Sequence, residues 1–174
     1  AAQQGEKGHG PKGNPAGRAL LNTGIAYLYG QDGATDYDVA RQCFQKAWAD
    51  GNMKAGRYLG LMAAHGWGVK QSDAQAAQWY AKAQEQGDIT SMYLLGQCYE
   101  QGKGVKQDYA KAKSLYEKAA QRTDHVGAPA MVYLGDMYAK GLGVAADTAK
   151  AKAWYQKAAA TGNLDAIEAL KAMG

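Results

Sequence analysis

The side chains that could carry catalysis or metal binding are few and far apart in this sequence. The cysteines are Cys43 and Cys98, and the histidines are His9, His65 and His125. None of the histidines stands at metal-ligand spacing from another histidine, a cysteine or a carboxylate. We recognise no nucleophile with an oriented base, no acid/base pair of carboxylates and no phosphate-binding loop. The sequence therefore predicts no catalytic residue, no metal and no cofactor.

The cysteines and His65 each have a structural interpretation. We expect both thiols to be reduced, because a bridge needs Cα atoms within about 7 Å and a whole repeat, defined below, separates Cys43 from Cys98. Cys98 shares an apolar position with Ala26, Met62 and Met137, which favours a small packing residue. His65 precedes Gly66 at a predicted helix end, where the helix dipole favours a cation; contact with a ligand is the alternative.

The composition favours helices. The chain has 174 residues, of which 47% are apolar and 21% are charged. Val and Ile are sparse, whereas Ala, Lys, Gln and Leu are abundant, which favours helix over sheet. The net charge of +4 is mild and the lysines are scattered, which disfavours a nucleic-acid-binding surface. No apolar run approaches the roughly eighteen residues of a transmembrane helix, so no membrane insertion is predicted.

One sequence unit occurs four times. A first glycine recurs at intervals of 36, 36 and 39 residues, at Gly24, Gly60, Gly96 and Gly135. A turn glycine keeps the same intervals at Gly30, Gly66, Gly102 and Gly141, and so does an aromatic residue at Phe44, Tyr80, Tyr116 and Tyr155. Landmarks that share one period predict a solenoid of helix pairs. We call the helix with the first glycine helix A and the helix with the aromatic residue helix B.

The ends of the predicted helices have recognisable signals. The turn glycine after helix A suits a left-handed C-terminal cap. Helix B is predicted to begin after a strong N-cap residue in every unit, namely Asp36, Ser72, Asp108 and Asp147. Ser72 and Gln75 also fit a capping box. Alanines flank the helix-B aromatic residue on one helix face, as in Ala112, Tyr116 and Ala119, which lets helices approach closely.

The predicted repeats divide the chain into a short segment and one domain. The repeats span about 16–52, 53–88, 89–126 and 127–163, and a capping helix at 163–173 completes a repeat domain at 16–174. Residues 1–15 are predicted to form a flexible, Gly- and Pro-rich segment. Residues 1–5 resemble the helix-B end at 83–87. Two interpretations stay open: the end of an upstream repeat in a longer array, or a mature N-terminus rich in Ala and Gln.

The third unit closely resembles the Sel1-like repeat, a member of the tetratricopeptide-like α-solenoids. The matching positions are Leu95, Gly96, Tyr99, Gly102, Gly104, Val105, Asp108, Lys111, Ala112, Tyr116, Lys118, Ala119 and Ala120. The resemblance covers roughly residues 16–174. The first unit departs from it, because Thr23 replaces the leucine and residues 30–34 lack the Gly-x-Gly-Val turn. A cysteine-rich branch of the family has two cysteines in each repeat, whereas this chain has two in total.

The resemblance implies an all-α solenoid, a right-handed superhelix of about four antiparallel helix pairs. It also implies a non-catalytic scaffold or adaptor for protein–protein interaction, with a protein or peptide partner. Family members are frequent in bacteria and often exported, which together with a start that lacks Met favours a periplasmic or secreted protein. Two unpaired cysteines instead fit the reducing cytoplasm, which is the alternative compartment.

A helical wheel separates two faces of helix A. The first glycines face helix B, and the opposite face centres on Ile25, Leu61, Gln97 and Asp136. In tetratricopeptide-like superhelices helix A lines the concave surface, so this face predicts a groove that is apolar in its first half and charged in its last repeat. The candidate partner-binding residues are Tyr29, Arg57, Tyr58, Leu61, His65, Tyr93, Leu94, Gln97, Tyr133 and Asp136. The alternative is that the flanking positions are buried between neighbouring repeats.

Three functions follow from these observations. The first is an interaction scaffold that binds a peptide or protein segment in the helix-A groove. The second is a structural repeat segment of a larger bacterial envelope or secretion protein. The third, an enzyme acting on a cell-envelope substrate, is the weakest because the residues form no catalytic set.

Overall fold

The computed structural model describes residues 15–174, with side chains from residue 17 onward. Within this range the chain forms α1 (Pro15–Tyr29), α2 (Tyr37–Ala49), α3 (Met53–His65), α4 (Asp73–Glu85), α5 (Ile89–Gln101), α6 (Tyr109–Ala120), α7 (Ala128–Lys140), α8 (Thr148–Ala159) and α9 (Leu164–Ala172). No strand occurs among the described residues. The all-α prediction is confirmed. The predicted flexible segment, apart from Pro15, lies outside the described residues.

The helices alternate between helix A, in α1, α3, α5 and α7, and helix B, in α2, α4, α6 and α8. Contacts divide the chain into two compact units, Ala1–Ser91 and Met92–Gly174, with the boundary inside α5. In the first unit α1 packs on α2, α2 on α3, and α3 on α4. In the second unit α6 packs on α7, α7 on α8, and α8 on α9.

Each helix-A glycine makes room for the aromatic ring of helix B. A Cβ built on Gly60 would stand 2.5 Å from Cε1 of Tyr80, and one on Gly96 would stand 2.5 Å from Cε1 of Tyr116. Gly24 and Gly135 contact their helix-B rings in the same way. The alanines that flank these rings are buried. The repeated glycine therefore sets how closely the two helices of a pair approach.

The predicted caps are present in all four helix pairs. Ser72, for example, accepts a hydrogen bond from the Gln75 amide at 3.1 Å, and Asp36, Asp108 and Asp147 cap α2, α6 and α8 in the same way. The capping box predicted for Ser72 differs in its second bond, because the Ser72 amide donates to the carbonyl of Ala63. The other three cap amides make the same bond to helix A, which ties the start of helix B to its partner.

Both glycines of the Gly-x-Gly turn need the left-handed conformation. Gly66, at the end of α3, has φ 69°, and Gly68 has φ 72°. Gly68 also lies directly against Tyr37, since a Cβ on Gly68 would stand 2.5 Å from the Tyr37 Cβ. The turn of the second repeat therefore packs on the start of α2 in the first repeat.

Candidate functional site

The predicted groove residues fall on four columns of helix A, named by their distance from the helix-A glycine. Two columns lie three and two residues before the glycine, and two lie one and five residues after it. In chain order their members are Leu21, Arg57, Tyr93 and Val132; Asn22, Tyr58, Leu94 and Tyr133; Ile25, Leu61, Gln97 and Asp136; and Tyr29, His65, Gln101 and Lys140. In the structure, residues of the first two columns pack on neighbouring helices, whereas the last two columns form the accessible surface of helix A.

The column two residues before the glycine packs on the preceding repeat. Tyr58 stacks on Phe44, with ring centroids 5.1 Å apart and an interplanar angle of 11°. Tyr133 packs on Tyr116 at 5.3 Å. Each ring therefore bridges helix A of one repeat and helix B of the repeat before it, and Leu94 at the equivalent position is half-buried. A packing duty accounts for Tyr58 and Tyr133.

The column three residues before the glycine contains a buried ion pair. The Arg57 guanidinium donates to both carboxylate oxygens of Asp88, at 3.0 and 2.8 Å. Asp88 also accepts from the Ser91 hydroxyl at 2.6 Å and the Ser91 amide at 3.1 Å. The Asp88 side chain is only 3% exposed, so this bidentate pair joins α3 to the start of α5 inside the first unit. Arg57 therefore has a structural partner.

Positions one and five residues after the glycine form the accessible surface of helix A, which we call the open face. Ile25 and Leu61 are half-buried in the first unit, and Gln97 and Asp136 are half-buried in the second. The outer column is exposed at all four positions, Tyr29, His65, Gln101 and Lys140. The open face is therefore apolar and aromatic in the first unit, and polar and charged in the second.

An aromatic cluster borders the open face of the first unit, with Trp67 at its centre. The Trp67 ring stacks on His65 at 4.4 Å and 19°. Tyr37 lies nearly parallel to it at 6.4 Å, and Tyr29 meets it edge-on at 6.3 Å and 79°. Tyr29 nevertheless remains 53% exposed. The cluster holds Tyr29 and His65 in place while leaving both accessible.

In the second unit two tyrosines of helix B reach carboxylates on helix A. Tyr116 donates to Glu100 at 2.9 Å, and Tyr155 donates to Asp136 at 2.5 Å. Burial raises the pKa of each phenol, and the adjacent carboxylate raises it further. Asp136 is therefore both part of the open face and an acceptor that orders α8 against α7.

Tyr133 lies at the centre of the remaining candidates in the second unit. Its ring contacts Tyr93 at 6.0 Å. Burial raises the pKa of the Tyr133 phenol, the nearby Tyr93 and Asp136 add to the rise, and a hydrogen bond from Gln97 opposes it. The structure therefore brings Tyr93, Gln97, Tyr133 and Asp136 together.

In the first unit Tyr29, Arg57 and Tyr58 are likewise neighbours. Burial raises the pKa of the Tyr29 phenol, Tyr58 adds to the rise, and Arg57 opposes it. His65 joins this group through Trp67. Leu61 lies on the same open face, half-buried.

Comparison with known proteins agrees with the repeat geometry. The model of the Sel1 repeat matches residues 17–52, 55–88, 89–124 and 128–163, which is most of the chain. The chain belongs to the Sel1 repeat family. Sel1 repeat proteins are generally non-catalytic scaffolds for protein interaction. None of the curated proteins matches the sequence of this chain.

Similar solved structures include two Sel1-like repeat proteins and a cysteine-rich protein. A Sel1 repeat protein from Oxalobacter formigenes is 35% identical, with a TM-score of 0.80 over 90% of this chain and 63% of that chain. The protective antigen c5321 of uropathogenic Escherichia coli is 34% identical, with a TM-score of 0.75 over 88% of this chain and 32% of that chain. The cysteine-rich protein B of Helicobacter pylori is 28% identical over 54% of this chain, with a TM-score of 0.50 and 71% of its own chain covered. This Sel1 chain thus spans less than two thirds of the first two proteins.

The described residues of this Sel1 chain contain no group of three or more His, Cys, Asp or Glu side chains arranged for a metal. Neither Cys43 nor Cys98 forms a disulfide, both are half-buried, and burial raises the pKa of the Cys43 thiol. None of the described helices combines the length and the apolar composition needed to cross a bilayer.

Trp67 is the site residue that the sequence reasoning missed. It stands between the two turn glycines, at a position occupied by Lys103 and Leu142 in the later repeats. The sequence did contain a signal for Trp67. The equivalent turn position carries Lys or Leu in the later repeats, so a large aromatic residue there is unusual. Only the structure shows that Trp67 contacts two open-face residues.

The raised pKa values predict an alkaline loss of stability. Free tyrosine ionises near pH 10, but burial keeps Tyr116, Tyr133 and Tyr155 neutral in the folded state. Above about pH 10 the unfolded chain alone releases these protons, so stability falls as pH rises. We expect tyrosinate absorbance from these three of the twelve phenols to appear together with loss of the helical circular-dichroism signal.

The Tyr116→Phe/Tyr155→Phe variant provides the control for this titration. Its stability should fall less steeply above about pH 10, because the pKa differences at the two positions are absent. Ionisation of all twelve phenols while the helical signal stays intact would contradict the prediction.

Proposed function

We propose that this Sel1 repeat chain is a non-catalytic scaffold that binds a peptide or protein segment on the open face of helix A. The observation that carries the proposal is the open face of the first unit, where Tyr29 is 53% exposed beside Trp67 and Leu61 is half-buried. Accessible aromatic and aliphatic side chains that neighbouring residues already hold in place lose little entropy on binding. Such side chains are the usual energetic centres of protein interfaces.

The residues that pack within the repeat contribute to this surface indirectly. Arg57 and Tyr58 are engaged with Asp88 and Phe44, so their replacement would change the fold as well as the surface. A variant aimed at binding should therefore alter the outer and central columns. In the first unit these residues are Tyr29, Leu61 and His65.

The test is affinity capture from the source cell with three forms of the chain. The first is wild type, the second carries Tyr29→Ala and Leu61→Ala, and the third carries Gln45→Ala and Gln78→Ala at exposed positions of α2 and α4. We expect a partner captured by the first and third forms to be reduced at least tenfold on the second. Circular dichroism would verify that all three are folded.

A second candidate function is a structural role within a longer repeat protein. The observation in its favour is that this chain spans 63% and 32% of the first two similar structures. The capture experiment separates the two functions. A structural segment predicts equal capture by all three forms, which would overturn binding on the open face of the first unit.

A further inference from the structure

A cleft of about 710 Å³ lies in the first unit, between the C-terminal half of α1 and the turn that leads to α2. Tyr27 contributes an aromatic ring to its lining, and the turn contributes the carboxylates of Asp32 and Asp36. The other lining residues are small or uncharged and polar, and no lysine, arginine or histidine lines the cleft among the residues that the structure describes. The cleft is thus anionic and has one aromatic wall.

The third and fourth repeats have a tyrosine at the position of Tyr27, three residues after the helix-A glycine. In both repeats a lysine of helix B covers the ring. The Lys111 ammonium lies 5.3 Å from the centroid of the Tyr99 ring, and the Lys150 ammonium lies 5.4 Å from that of Tyr138. Both tyrosines are half-buried. This position of the repeat therefore holds an ammonium group by a cation–π contact.

The first repeat keeps the tyrosine but lacks the lysine. The lysine follows the N-cap aspartate by three residues, where the first repeat has Val39. The local backbone is the same, because the Asp36 amide donates to the Tyr27 carbonyl at 3.0 Å and the Asp36 carboxylate accepts from the Val39 amide at 3.1 Å, as at the equivalent residues of the later repeats. No lysine or arginine in the described part of the chain covers the Tyr27 ring, which is 40% exposed.

Asp32 gives the first turn a carboxylate that the later turns lack. Its position is a glycine in the other three repeats, at Gly68, Gly104 and Gly143. Asp32 is exposed and makes no ion pair with any residue from 15 to 174. Asp36 is exposed as well. Two carboxylates beside an uncovered ring attract a cation both by charge and through the ring quadrupole.

We propose that this cleft binds a lysine side chain of a peptide or protein partner. The partner's ammonium lies over the Tyr27 ring, as Lys111 lies over Tyr99, and it pairs with the carboxylates of Asp32 and Asp36. The inference rests on the proposed function for the class of partner, and it adds a charged contact that the open face does not contain.

The chemistry of the cleft favours lysine over other cations. The chain itself uses lysine over the tyrosine in both later repeats. An ammonium is a compact charge with three donors, so it can contact a ring and two carboxylates together, whereas a guanidinium is a planar fork suited to one carboxylate. An N-terminal α-amine has no methylene stem to pack beside the ring. The amides and hydroxyl of Asn22, Gln31 and Thr35 can bind the peptide backbone on either side of the lysine.

The test supplies the missing lysine from the chain itself. Val39→Lys places an ammonium over Tyr27 as in the later repeats, and Val39→Gln is the uncharged control, because the second repeat has Gln75 at this position. Fluorescently labelled chains are applied to an array of heptapeptides with a central lysine and randomised flanks, each also made with Nε-acetyl-lysine. Wild type and Val39→Gln should bind the preferred peptides about tenfold more strongly with the free amine. Val39→Lys should lose this preference.

Two further variants test the ring and the carboxylate separately, and circular dichroism verifies that each variant is folded. Tyr27→Leu keeps an apolar side chain without a quadrupole, and Asp32→Asn keeps the shape without the charge. Each should reduce the preference for the free amine by about threefold. The matched control is Asp50→Asn, which removes the same charge from an exposed position at the end of α2.

Several outcomes would overturn the inference. These are equal binding of lysine and acetyl-lysine peptides, an unchanged preference in the Val39→Lys variant, and the absence of any bound peptide. Stronger binding of peptides with a central arginine would assign the cleft to a guanidinium instead. The proposed function is judged separately by capture with the Tyr29→Ala/Leu61→Ala variant, since neither of these residues lines the cleft.

Discussion

Replacement of Asp88 by alanine is expected to lower the free energy of unfolding by about 3–5 kcal/mol. The substitution removes the two Asp88 oxygens that accept from the Arg57 guanidinium, whose side chain is 18% exposed. It also removes the oxygen that accepts from the Ser91 amide at 3.1 Å in the first turn of α5. A partly buried cation then loses its counter-charge and a helix loses its cap. Urea denaturation with an unchanged m-value would measure the difference.

Asp38→Ala is the control for Asp88→Ala. Asp38 pairs with Arg41 at 3.5 Å, but its side chain is 74% exposed, so the expected loss is at most about 1 kcal/mol. Asp88→Asn retains an oxygen for the cap and should fall between the two alanine variants. A loss below about 1 kcal/mol for Asp88→Ala would show that solvent compensates Arg57 and that the pair does not hold α3 to α5.

The helix-pair repeat could be predicted because the interactions that form it are local and recur in four units. An N-cap, a left-handed glycine and a glycine opposite an aromatic ring each need a particular residue type at a particular spacing. Asp108 and Gly102 illustrate this, since each has the role that its spacing predicted. Gly96 was predicted to face helix B, and the structure adds that it lies against the Tyr116 ring. Four copies in register then separate these signals from chance.

The accessibility of the groove residues could not be predicted in the same way. A helical wheel gives the direction of a side chain but not the neighbour that it meets in the next repeat. The wheel places Tyr58 and Tyr133 beside the predicted groove, but in the structure they pack on Phe44 and Tyr116. Likewise, the partner of Arg57 is 31 residues away in sequence, and Asp88 by itself resembles an ordinary helix cap.

Trp67 was missed for a related reason, because it acquires its role from Tyr29 and His65. Such a combination arises only when helices pack.

The contact between Gly96 and Tyr116 predicts a substitution whose effect changes sign with its background. A Cβ on Gly96 would stand 2.5 Å from Cε1 of Tyr116, a ring that is fully buried. Overpacking of this kind costs about 1–3 kcal/mol, whereas alanine is favoured over glycine in a helix by about 1 kcal/mol. Because the ring is fully buried, the overpacking cost should lie at the upper end of this range, so we expect Gly96→Ala to lower the free energy of unfolding by about 2 kcal/mol.

In a Tyr116→Ala background the same substitution should be stabilising. Tyr116→Ala alone should lower the free energy of unfolding by about 3–5 kcal/mol, so trimethylamine N-oxide would keep all four chains of the cycle folded. Without the ring, Gly96→Ala retains only its helix preference and should raise the free energy of unfolding by about 1 kcal/mol. The coupling between the two positions would then be about 3 kcal/mol. Additive effects would instead mean that α5 and α6 shift apart to admit a Cβ, and that the glycine does not set their approach.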